Sequence, residues 1–277
     1  MRRLQGFVRS LRPAVLASLV GRVSGLSRRR KLQTADGTFW INPISDLGWS
    51  LANGGYESGM KVVLEQYLKP GCTFIDLGAN EGYFSVIASR LVGPRGTVIS
   101  VEPQSRLQAV VQTNLSLNHC DNVRIIKAAV TSRSEPVTFE LTPDVNTGGS
   151  SLFRSTKYAC RQEVVDGLTL ADFIQRTGIE YCDLMKVDIE GAEYDAFMGS
   201  GDTLEKGIIR NISLELHPAI LKKRGLSAGD LHQRILAAGY TLHSELGNWV
   251  YTFEGTSASS ASPFTSLLHG RFPNVLE

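Results

Sequence analysis

The sequence lacks the features that would place it in several common classes. No apolar run approaches the roughly 18 residues that a membrane-spanning helix needs. Its four cysteines, Cys72, Cys120, Cys160 and Cys182, are far apart and form no C-x-x-C pair, so neither a zinc site nor a disulfide framework is indicated. The chain also contains no G-x-x-x-x-G-K-[ST] loop and no G-x-G-x-x-G fingerprint. These absences exclude a P-loop nucleotide site, weaken a dinucleotide site and favour a protein of the reducing cytoplasm.

Acidic residues are absent from the first 31 positions. This segment holds nine basic residues, namely Arg2, Arg3, Arg9, Arg12, Arg22, Arg28, Arg29, Arg30 and Lys31. Because the whole 277-residue chain carries a net charge of +2, residues 32–277 carry −7. A body of this acidity is not expected to take nucleic acid as its main substrate. With 42% apolar and 20% charged residues, the chain has the composition of a globular protein with a full core.

The basic segment also shows helical periodicity. Its apolar residues recur at steps of three and four: Leu4, Phe7, Val8, Leu11, Val15, Leu19, Val23 and Leu26. This spacing predicts an amphipathic helix, which Pro13 would end or kink. Such a helix either makes a peripheral contact with an anionic membrane, packs on the domain, or belongs to a partly disordered leader. We therefore divide the chain into a basic arm and lead-in (1–54), a main domain (55–254) and a Ser-rich tail (255–277).

Strand and helix signals alternate from about residue 60 onward. Strands are predicted at 73–77, 97–101, 123–130, 137–141, 183–189, 212–216, 240–243 and 249–253. Helices are predicted at 60–68, 83–91, 107–117, 170–176 and 231–238. This alternation predicts an α/β fold with a mostly parallel sheet. Ligands of such sheets bind outside the carboxyl ends of the strands.

The loop after the first of these strands has the composition of a ligand site. It reads Asp76-Leu77-Gly78-Ala79-Asn80-Glu81-Gly82, and its two glycines permit a tight turn and a close approach of the backbone to a ligand. Glu102 ends the next strand, where a carboxylate can accept hydrogen bonds from both hydroxyls of an adenosine ribose. The acidic loop disfavours a pyrophosphate and suits a ligand with a sulfonium and an ammonium group. The residues therefore favour S-adenosylmethionine over NAD.

Three motifs in this order resemble FkbM-type methyltransferases: IDLGANEGYFS at 75–85, VEP at 101–103 and LMKVDIEGAE at 184–193. The resemblance spans roughly residues 55–253. It implies a Rossmann-like, seven-stranded methyltransferase sheet, mostly parallel, with the last strand antiparallel. It implies that Gly78, Asn80 and Gly82 follow the methionine part of the cofactor and that Glu57, otherwise a surface residue, meets its ammonium group. The full set of expected cofactor-binding residues is Glu57, Asp76, Gly78, Ala79, Asn80, Gly82, Glu102, Pro103, Ala128 and Ala129.

The catalytic candidates follow two later strands. Methyl transfer to a hydroxyl needs a base or a metal ion that removes the proton of the acceptor. The candidates for this chemistry are Lys186, Asp188, Glu190 and His217, with Glu215 expected to orient His217. Asp188 and Glu190 are also the candidate ligands of a divalent metal. The structural alternative is an ion pair between Lys186 and Asp188, because charges in an apolar strand are costly to bury unless they pair or touch a ligand.

The polar loop at 146–151 is the best candidate for contact with the acceptor, since its hydroxyls suit a carbohydrate. Ser150, Ser151 and Glu193 are the expected substrate contacts. Together these features predict an S-adenosylmethionine-dependent O-methyltransferase that acts on a hydroxyl of a sugar, glycolipid or secondary metabolite. The expected partner is a small-molecule, glycan or lipid-linked acceptor. The alternatives are a catalytically idle binding module of the same fold and a nicotinamide-dependent oxidoreductase.

Overall fold

The computed structural model describes residues 2–12, 14–153, 161–245 and 248–255. Ten helices lie in these ranges: α1 (Arg2–Ser10), α2 (Ala14–Val23), α3 (Asp46–Ala52), α4 (Ser58–Tyr67), α5 (Tyr83–Val92), α6 (Ser105–Leu117), α7 (Leu170–Thr177), α8 (Glu193–Met198), α9 (Pro218–Lys223) and α10 (Ala228–Ala237). The strands of the same ranges are β1 (Arg30–Thr34), β2 (Gly37–Ile41), β3 (Thr73–Leu77), β4 (Thr97–Val101), β5 (Val123–Ile126), β6 (Ala129–Val130), β7 (Pro136–Leu141), β8 (Arg161–Leu168), β9 (Leu184–Val187), β10 (Asn211–Leu214), β11 (Tyr240–Glu245) and β12 (Asn248–Phe253).

A seven-stranded sheet forms the centre of the molecule. Its strand order is β11-β12-β10-β9-β3-β4-β5. The pairs from β10 to β5 are parallel, whereas β12 runs antiparallel to both β10 and β11. The expected mostly parallel sheet with one antiparallel strand, the last in the chain, is confirmed.

The core lies on both faces of this sheet. Along β3, Ile75 and Leu77 pack into one buried cluster, while Phe74 packs into the other. Met185 and Leu184 on β9 divide between the same two clusters. Because both faces are covered, these strands carry apolar residues on both sides rather than alternating apolar and polar ones, apart from the facing charges Asp76 and Lys186. This arrangement leaves the carboxyl edge of the sheet for polar and charged residues.

One predicted strand, at 123–130, is in fact two. β5 ends at Ile126 in the central sheet, and β6 pairs with β8 in a separate three-stranded sheet of order β6-β8-β7. The chain leaves the central sheet between them, at Lys127 and Ala128. This break carries Ala128 and Ala129 to the carboxyl edge of the sheet, where a ligand is expected.

The lead-in of the chain is more ordered than its sequence indicated. β1 and β2 form an antiparallel hairpin, and α3 follows it. Phe39 and Leu47 of this segment lie in the same buried cluster as Phe74 of β3. The lead-in therefore packs as part of the main core.

The basic arm forms two helices, α1 and α2, instead of one. Pro13, the predicted break, lies outside the described residues, and the helices end and begin on either side of it. Within the described part of the chain, no helix has the length and apolar character to cross a membrane. The predicted Ser-rich tail from 256 onward, the loop residues 154–156 and Gly247 of the predicted hairpin turn also lie outside the described residues.

Candidate active site

A pocket opens at the carboxyl edge of the central sheet. The expected site residues that line it are Glu57, Gly78, Ala79, Asn80, Glu102, Pro103, Ala128, Ala129, Ser150, Lys186, Asp188 and Glu190. These residues come from the loops after β3, β4, β5, β7 and β9, from the segment before α4, and, for Ala129 and Lys186, from β6 and β9 themselves. The topology thus brings together positions that are more than 100 residues apart in the chain.

The loop between β3 and α5 needs glycine at its first turn. Gly78 has a φ of +84°, and a Cβ placed on it would overlap with the backbone carbonyl oxygen of Asp188. The backbone of this loop therefore runs in direct contact with the β9 loop, which no other residue permits. Gly82 also has a positive φ but does not line the pocket, because it caps the start of α5 and faces Val111.

Glu102 forms a buried end of the pocket. Its side chain accepts hydrogen bonds from the backbone N–H groups of Asn80 (2.9 Å) and Gln104 (2.9 Å). Burial raises the pKa of Glu102 to about 7, although these two N–H groups favour the charged form. Ala128 and Ala129 add a small apolar wall to the pocket.

Asp76 was expected to meet the cofactor, but the structure places it behind the pocket. It lies opposite Lys186 in the parallel register of β3 and β9. One carboxylate oxygen accepts a hydrogen bond from the Ser85 hydroxyl (2.6 Å), and the other is 4.0 Å from Lys186 Nζ. Asp76 is fully buried and does not line the pocket. Its carboxylate is therefore held in the core by Ser85 and lies close to Lys186.

Lys186 lies between this buried carboxylate and the opposite end of the pocket. Its Nζ donates to Asp188 Oδ2 at 3.0 Å. Burial alone lowers the pKa of Lys186, but the charges of Asp188, Asp76 and Glu57 raise it above its ordinary value. Lys186 is therefore a fixed cation that ties Asp188 in place, in agreement with the ion-pair alternative.

Asp188 belongs to a cluster with two residues that follow β10. Single ligand atoms of Asp188, Glu215 and His217 all lie within 4.8 Å of one another. Loss of hydration in the pocket and the negative charges of Asp188 and Glu57 raise the pKa of Glu215 to about 7. Glu215 lines the pocket, whereas His217 lies just behind its wall.

A hydrogen bond to a buried carboxylate orients His217. Its Nδ1 is 2.9 Å from Glu193 Oε1, and its Nε2 is 3.8 Å from Asp188 Oδ1 and 3.6 Å from Glu190 Oε2. Burial alone lowers the pKa of His217, but the hydrogen bond to Glu193 and the charges of Glu193, Glu190 and Asp188 raise it to about 9. Glu193, expected to contact the acceptor, is completely buried and also accepts from backbone N–H groups of its own loop. It therefore holds His217 rather than a substrate.

The polar loop after β7 closes over the pocket from the other side. The Thr147 hydroxyl donates to Asn80 Oδ1 at 2.9 Å. Ser150 Oγ contacts Gln104 and Arg106, so it lies at the Glu102 end of the pocket and not at the Asp188 end. Ser151 is buried, and its hydroxyl donates to the Glu190 carbonyl oxygen. Neither serine is placed where an acceptor would meet the Asp188 cluster.

Three pocket residues carry a strained backbone conformation. Four non-glycine residues of the described chain have positive φ, and three of these, Glu57, Asn80 and Glu190, line the pocket. Such conformations cost on the order of 1–3 kcal/mol each and concentrate at functional sites. This strain marks the same surface that the motifs indicated.

Sequence reasoning missed several residues of the site. Gln104 and Arg106 pin the closing loop to the region of Glu102, and Tyr56 lines the pocket beside Glu57. Gln104 directly follows the motif that ends in Pro103, so its position next to the motif could have indicated it. Arg106 hydrogen-bonds to Thr142 and Asp144, which are 36 and 38 residues later in the chain. Only the packing of the loop reveals that role.

The comparisons with known proteins agree with this architecture. The profile of the Methyltransferase FkbM domain matches residues 76–242. The chain is similar to the ribosomal protein L11 methyltransferase of Acetivibrio thermocellus, with 34% identity over 85 residues that cover 30% of this chain and 26% of that protein. It is also similar to the AMB antimetabolite synthetase AmbE of Pseudomonas aeruginosa, with 27% identity over 203 residues that cover 58% of this chain and 9% of that protein. The chain spans less than two thirds of the length of either relative.

A solved structure with a similar description is the methyltransferase FkbM from Methylobacillus flagellatus. It aligns with a TM-score of 0.45 and 15% identity, over 87% of this chain and 60% of that one. The assignment rests on the family profile, which covers more than half of this chain. The chain belongs to the FkbM methyltransferase family, a family of S-adenosylmethionine-dependent methyltransferases.

Proposed function

We propose that this chain is an S-adenosylmethionine-dependent O-methyltransferase, and that its acceptor is a hydroxyl of a sugar, glycolipid or secondary metabolite. One observation carries the proposal. A single pocket has the buried carboxylate Glu102 at one end and Asp188 and Glu215 at the other, with His217 next to them behind the pocket wall. The first end suits a nucleoside, and the second suits removal of a proton from oxygen.

The residues of the pocket fit the cofactor. Glu102 is almost fully buried yet carries a carboxylate, which suits two ribose hydroxyls that donate hydrogen bonds. Ala128 and Ala129 leave a flat apolar wall for an adenine ring. Glu57 and Asp188 supply negative charge where the ammonium and sulfonium groups would lie.

The cofactor supplies a methyl group on a sulfonium: the acceptor oxygen forms the new C–O bond, the C–S bond breaks with its electrons remaining on sulfur, and the hydroxyl proton must leave. The chain's residues orient this exchange and accept the proton. Asp188 is held by Lys186 at 3.0 Å and faces the pocket. We assign it the role of proton acceptor, with His217 beside it to stabilise the negative charge.

The class of acceptor follows from the polarity of this end of the pocket. Glu57, Asp188, Glu190 and Glu215 present carboxylates there, which suit a neutral polyhydroxylated molecule that donates hydrogen bonds. An anionic acceptor such as nucleic acid would be repelled. The similarity to an antimetabolite synthetase is in keeping with a small-molecule acceptor.

Calorimetry with S-adenosylmethionine tests the cofactor site. We expect one binding site in the wild type and a loss of affinity of at least tenfold in Glu102→Ala, because each charge-assisted hydrogen bond contributes about 1.5–3 kcal/mol. Glu65→Ala, at an exposed residue of α4, is the matched control. Undiminished binding in the folded Glu102→Ala protein contradicts the assignment.

Mass spectrometry of cell glycans, lipids and metabolites with and without the gene tests the reaction. We expect one class of hydroxylated molecule to lose the mass of one methylene group when the gene is absent. A protein that binds the cofactor but transfers no methyl group to any member of a broad hydroxyl panel would be the idle binding module. Binding of NAD in place of S-adenosylmethionine would favour an oxidoreductase.

We also propose that α1 and α2 hold the enzyme on an anionic membrane, so that a lipid-linked acceptor is within reach. Of the ten large hydrophobic side chains exposed in the described chain, six belong to these helices: Leu4, Phe7, Val15, Leu16, Leu19 and Val23. The inner face is docked, since Val8 and Ala17 pack with Ile44 and Val145. Exposed basic residues of the segment, Arg3, Arg12, Arg28, Arg30 and Lys31, complement anionic headgroups.

Sedimentation with vesicles that contain phosphatidylglycerol tests this contact. The triple variant Phe7→Ser, Leu19→Ser, Val23→Ser should bind at least tenfold more weakly than the wild type, since each lost side chain removes apolar burial. The control is Val62→Ser, Val164→Ser, Met198→Ser, which changes three exposed hydrophobic residues outside the arm. Equal partition of the arm variant and the wild type contradicts a membrane role.

A further inference from the structure

We propose that Asp188, Glu215 and His217 form a binding site for a first-row divalent cation, with Mn²⁺ or Zn²⁺ favoured over Ca²⁺. The role that we give to the ion rests on the proposed function, but the binding of the ion does not. This ligand set differs from the pair Asp188 and Glu190 that the sequence indicated. It uses a side chain, Glu215, for which the sequence suggested only an orienting role.

The topology explains why these three residues meet. β9 and β10 are neighbouring parallel strands, with Val187 opposite Leu214 in their register. Asp188 follows β9 directly, and Glu215 and His217 follow β10. Their ligand atoms lie within 4.8 Å of one another. Ligands at about 2.0–2.2 Å from one ion lie up to about 4.4 Å apart, so small rotations of partly exposed side chains bring all three into coordination.

The hydrogen bonding of His217 prepares one ring nitrogen for a metal. Glu193 Oε1 accepts from the backbone N–H groups of Ile189 and Gly191 (both 3.2 Å), so it faces His217 as an acceptor and places the ring proton on Nδ1. An ion that binds here would displace the proton on Nε2 and take its lone pair. Nε2 is 3.8 Å from Asp188 Oδ1, which is too long for a hydrogen bond. A buried carboxylate behind an imidazole is the arrangement that orients metal-ligating histidines in proteins.

The balance of charge at this end of the pocket favours a cation. Four carboxylates line it, those of Glu57, Asp188, Glu190 and Glu215, and a fifth, Glu193, lies behind the ring of His217, against the ammonium of Lys186. Lys186 donates to Asp188 Oδ2, so that Oδ1 is the atom turned toward His217. A divalent ion bound among these atoms would relieve the mutual repulsion of the carboxylates.

The donor set selects the kind of ion. One imidazole and two carboxylates suit Mn²⁺, Fe²⁺ or Zn²⁺, because Ca²⁺ prefers six to eight oxygen ligands and takes nitrogen poorly. In the proposed reaction such an ion would lower the pKa of the acceptor hydroxyl. With the ion bound, Asp188 would act as a ligand and the hydroxyl proton would pass to Glu190, the neighbouring pocket carboxylate outside the ligand set.

Calorimetric titration of MnCl₂ into the full-length protein, stripped with a chelator and without cofactor, tests the site. We expect one Mn²⁺ per chain. His217→Gln and Glu215→Gln should each weaken binding by tenfold or more, and Glu193→Gln by about 10–100-fold through loss of ring orientation. Asp202→Asn, at an exposed acidic residue paired with Lys206, is the control that should bind as the wild type does. CaCl₂ should bind more weakly than MnCl₂.

Absence of saturable Mn²⁺ binding in protein whose circular dichroism shows the native fold overturns the proposal. Equal binding by His217→Gln and the wild type also overturns it. Binding of S-adenosylmethionine is measured separately on the same samples. Cofactor binding without Mn²⁺ binding defeats this inference alone, whereas Mn²⁺ binding without cofactor binding defeats the proposed function alone.

Discussion

At the scale of single residues, buried charges set the chemistry of the pocket. Glu102 and Lys186 are both nearly inaccessible to solvent, and different groups stabilise the charge of each. Backbone N–H groups stabilise the Glu102 carboxylate, while Asp76 and Asp188 flank the Lys186 ammonium. Changing the pH should therefore alter cofactor affinity through Glu102, and removing one charge of the Lys186 group should lower the stability of the fold.

Cofactor affinity should depend on pH through Glu102. Burial raises the pKa of this carboxyl to about 7, and a protonated carboxyl accepts fewer hydrogen bonds from a ribose. Affinity should therefore be full above pH 7 and fall as the pH decreases through that value.

The stability of the fold should change with pH in the opposite direction. The stability that Glu102 contributes is present below the pKa of the unfolded state and is lost as the pH rises through the pKa of the folded state. Calorimetry over about pH 5 to 9 measures the affinity, and Glu102→Gln should bind weakly without this pH dependence; a wild-type affinity that stays constant with pH contradicts the prediction.

Loss of the Lys186 charge should destabilise the fold. Lys186→Met leaves Asp76 buried without its cationic neighbour, and breaking one side of a buried ion pair costs about 3–5 kcal/mol. The free energy of unfolding from chemical denaturation measures this loss. The double variant Lys186→Met, Asp76→Asn should recover part of it, since the uncompensated charge is gone. A single variant as stable as the wild type would show that the pair contributes nothing.

At the scale of elements, the loops after the strands determine the shape of the pocket. The β3–α5 loop lies against the β9 loop at Gly78, and the loop after β7 is tied to both by Thr147 and Ser151. Each loop therefore depends on its neighbour for its conformation. A change at their contact should affect the pocket more than a similar change elsewhere.

Substitution of two glycines measures how much the contact between the β3–α5 loop and the β9 loop contributes. Gly78→Ala adds a Cβ that overlaps with the Asp188 carbonyl, whereas Gly93→Ala, also at positive φ, meets no atom within 4 Å. Both variants should lose about 1 kcal/mol from backbone strain. Only Gly78→Ala should lose several kcal/mol of stability and most of its cofactor affinity, because the loops must separate. Thermal unfolding and calorimetry compare the two, and similar losses in both would count against a steric role for Gly78.

At the scale of the whole molecule, the charge asymmetry of the sequence has a structural counterpart. Three arginines of the basic segment pair with acids of the body: Arg9 with Asp46, Arg22 with Asp144 and Arg29 with Glu81. The acids belong to segments that line the pocket or border it. These ion pairs hold the basic segment against the residues around the pocket, while the apolar outer face of α1 and α2 stays exposed.

Cofactor binding should stabilise the whole fold. The pocket joins loops that follow several strands. A ligand that binds only the folded state adds about 2.7 kcal/mol of stability at one hundred times its Kd. At roughly 2–4 °C per kcal/mol for a chain of this size, we expect Tm to rise by roughly 5–10 °C with S-adenosylmethionine and to stay unchanged with NAD. Differential scanning calorimetry checks both. A rise with NAD alone would reverse the choice of cofactor.

The sequence by itself determined the fold class and indicated where a pocket would open, at the carboxyl ends of the strands. Hydrophobic periodicity shows where each strand ends. Gly78 and Glu102 lie at two such strand ends, so both could be identified as candidate pocket residues from the sequence. The break after Ile126 and the strand β8 were not visible, because the same apolar residues suit a strand in either sheet.

Only the tertiary structure decided the roles of the charged residues. Strand alternation tells which residues share a face but not which strand lies beside it. The order β10-β9-β3 brought Glu215 and His217 to Asp188 and turned Asp76 toward Lys186. The same packing buried Glu193 behind the imidazole. Charges act through distance and burial, and both are properties of the assembled sheet rather than of neighbouring positions in the chain.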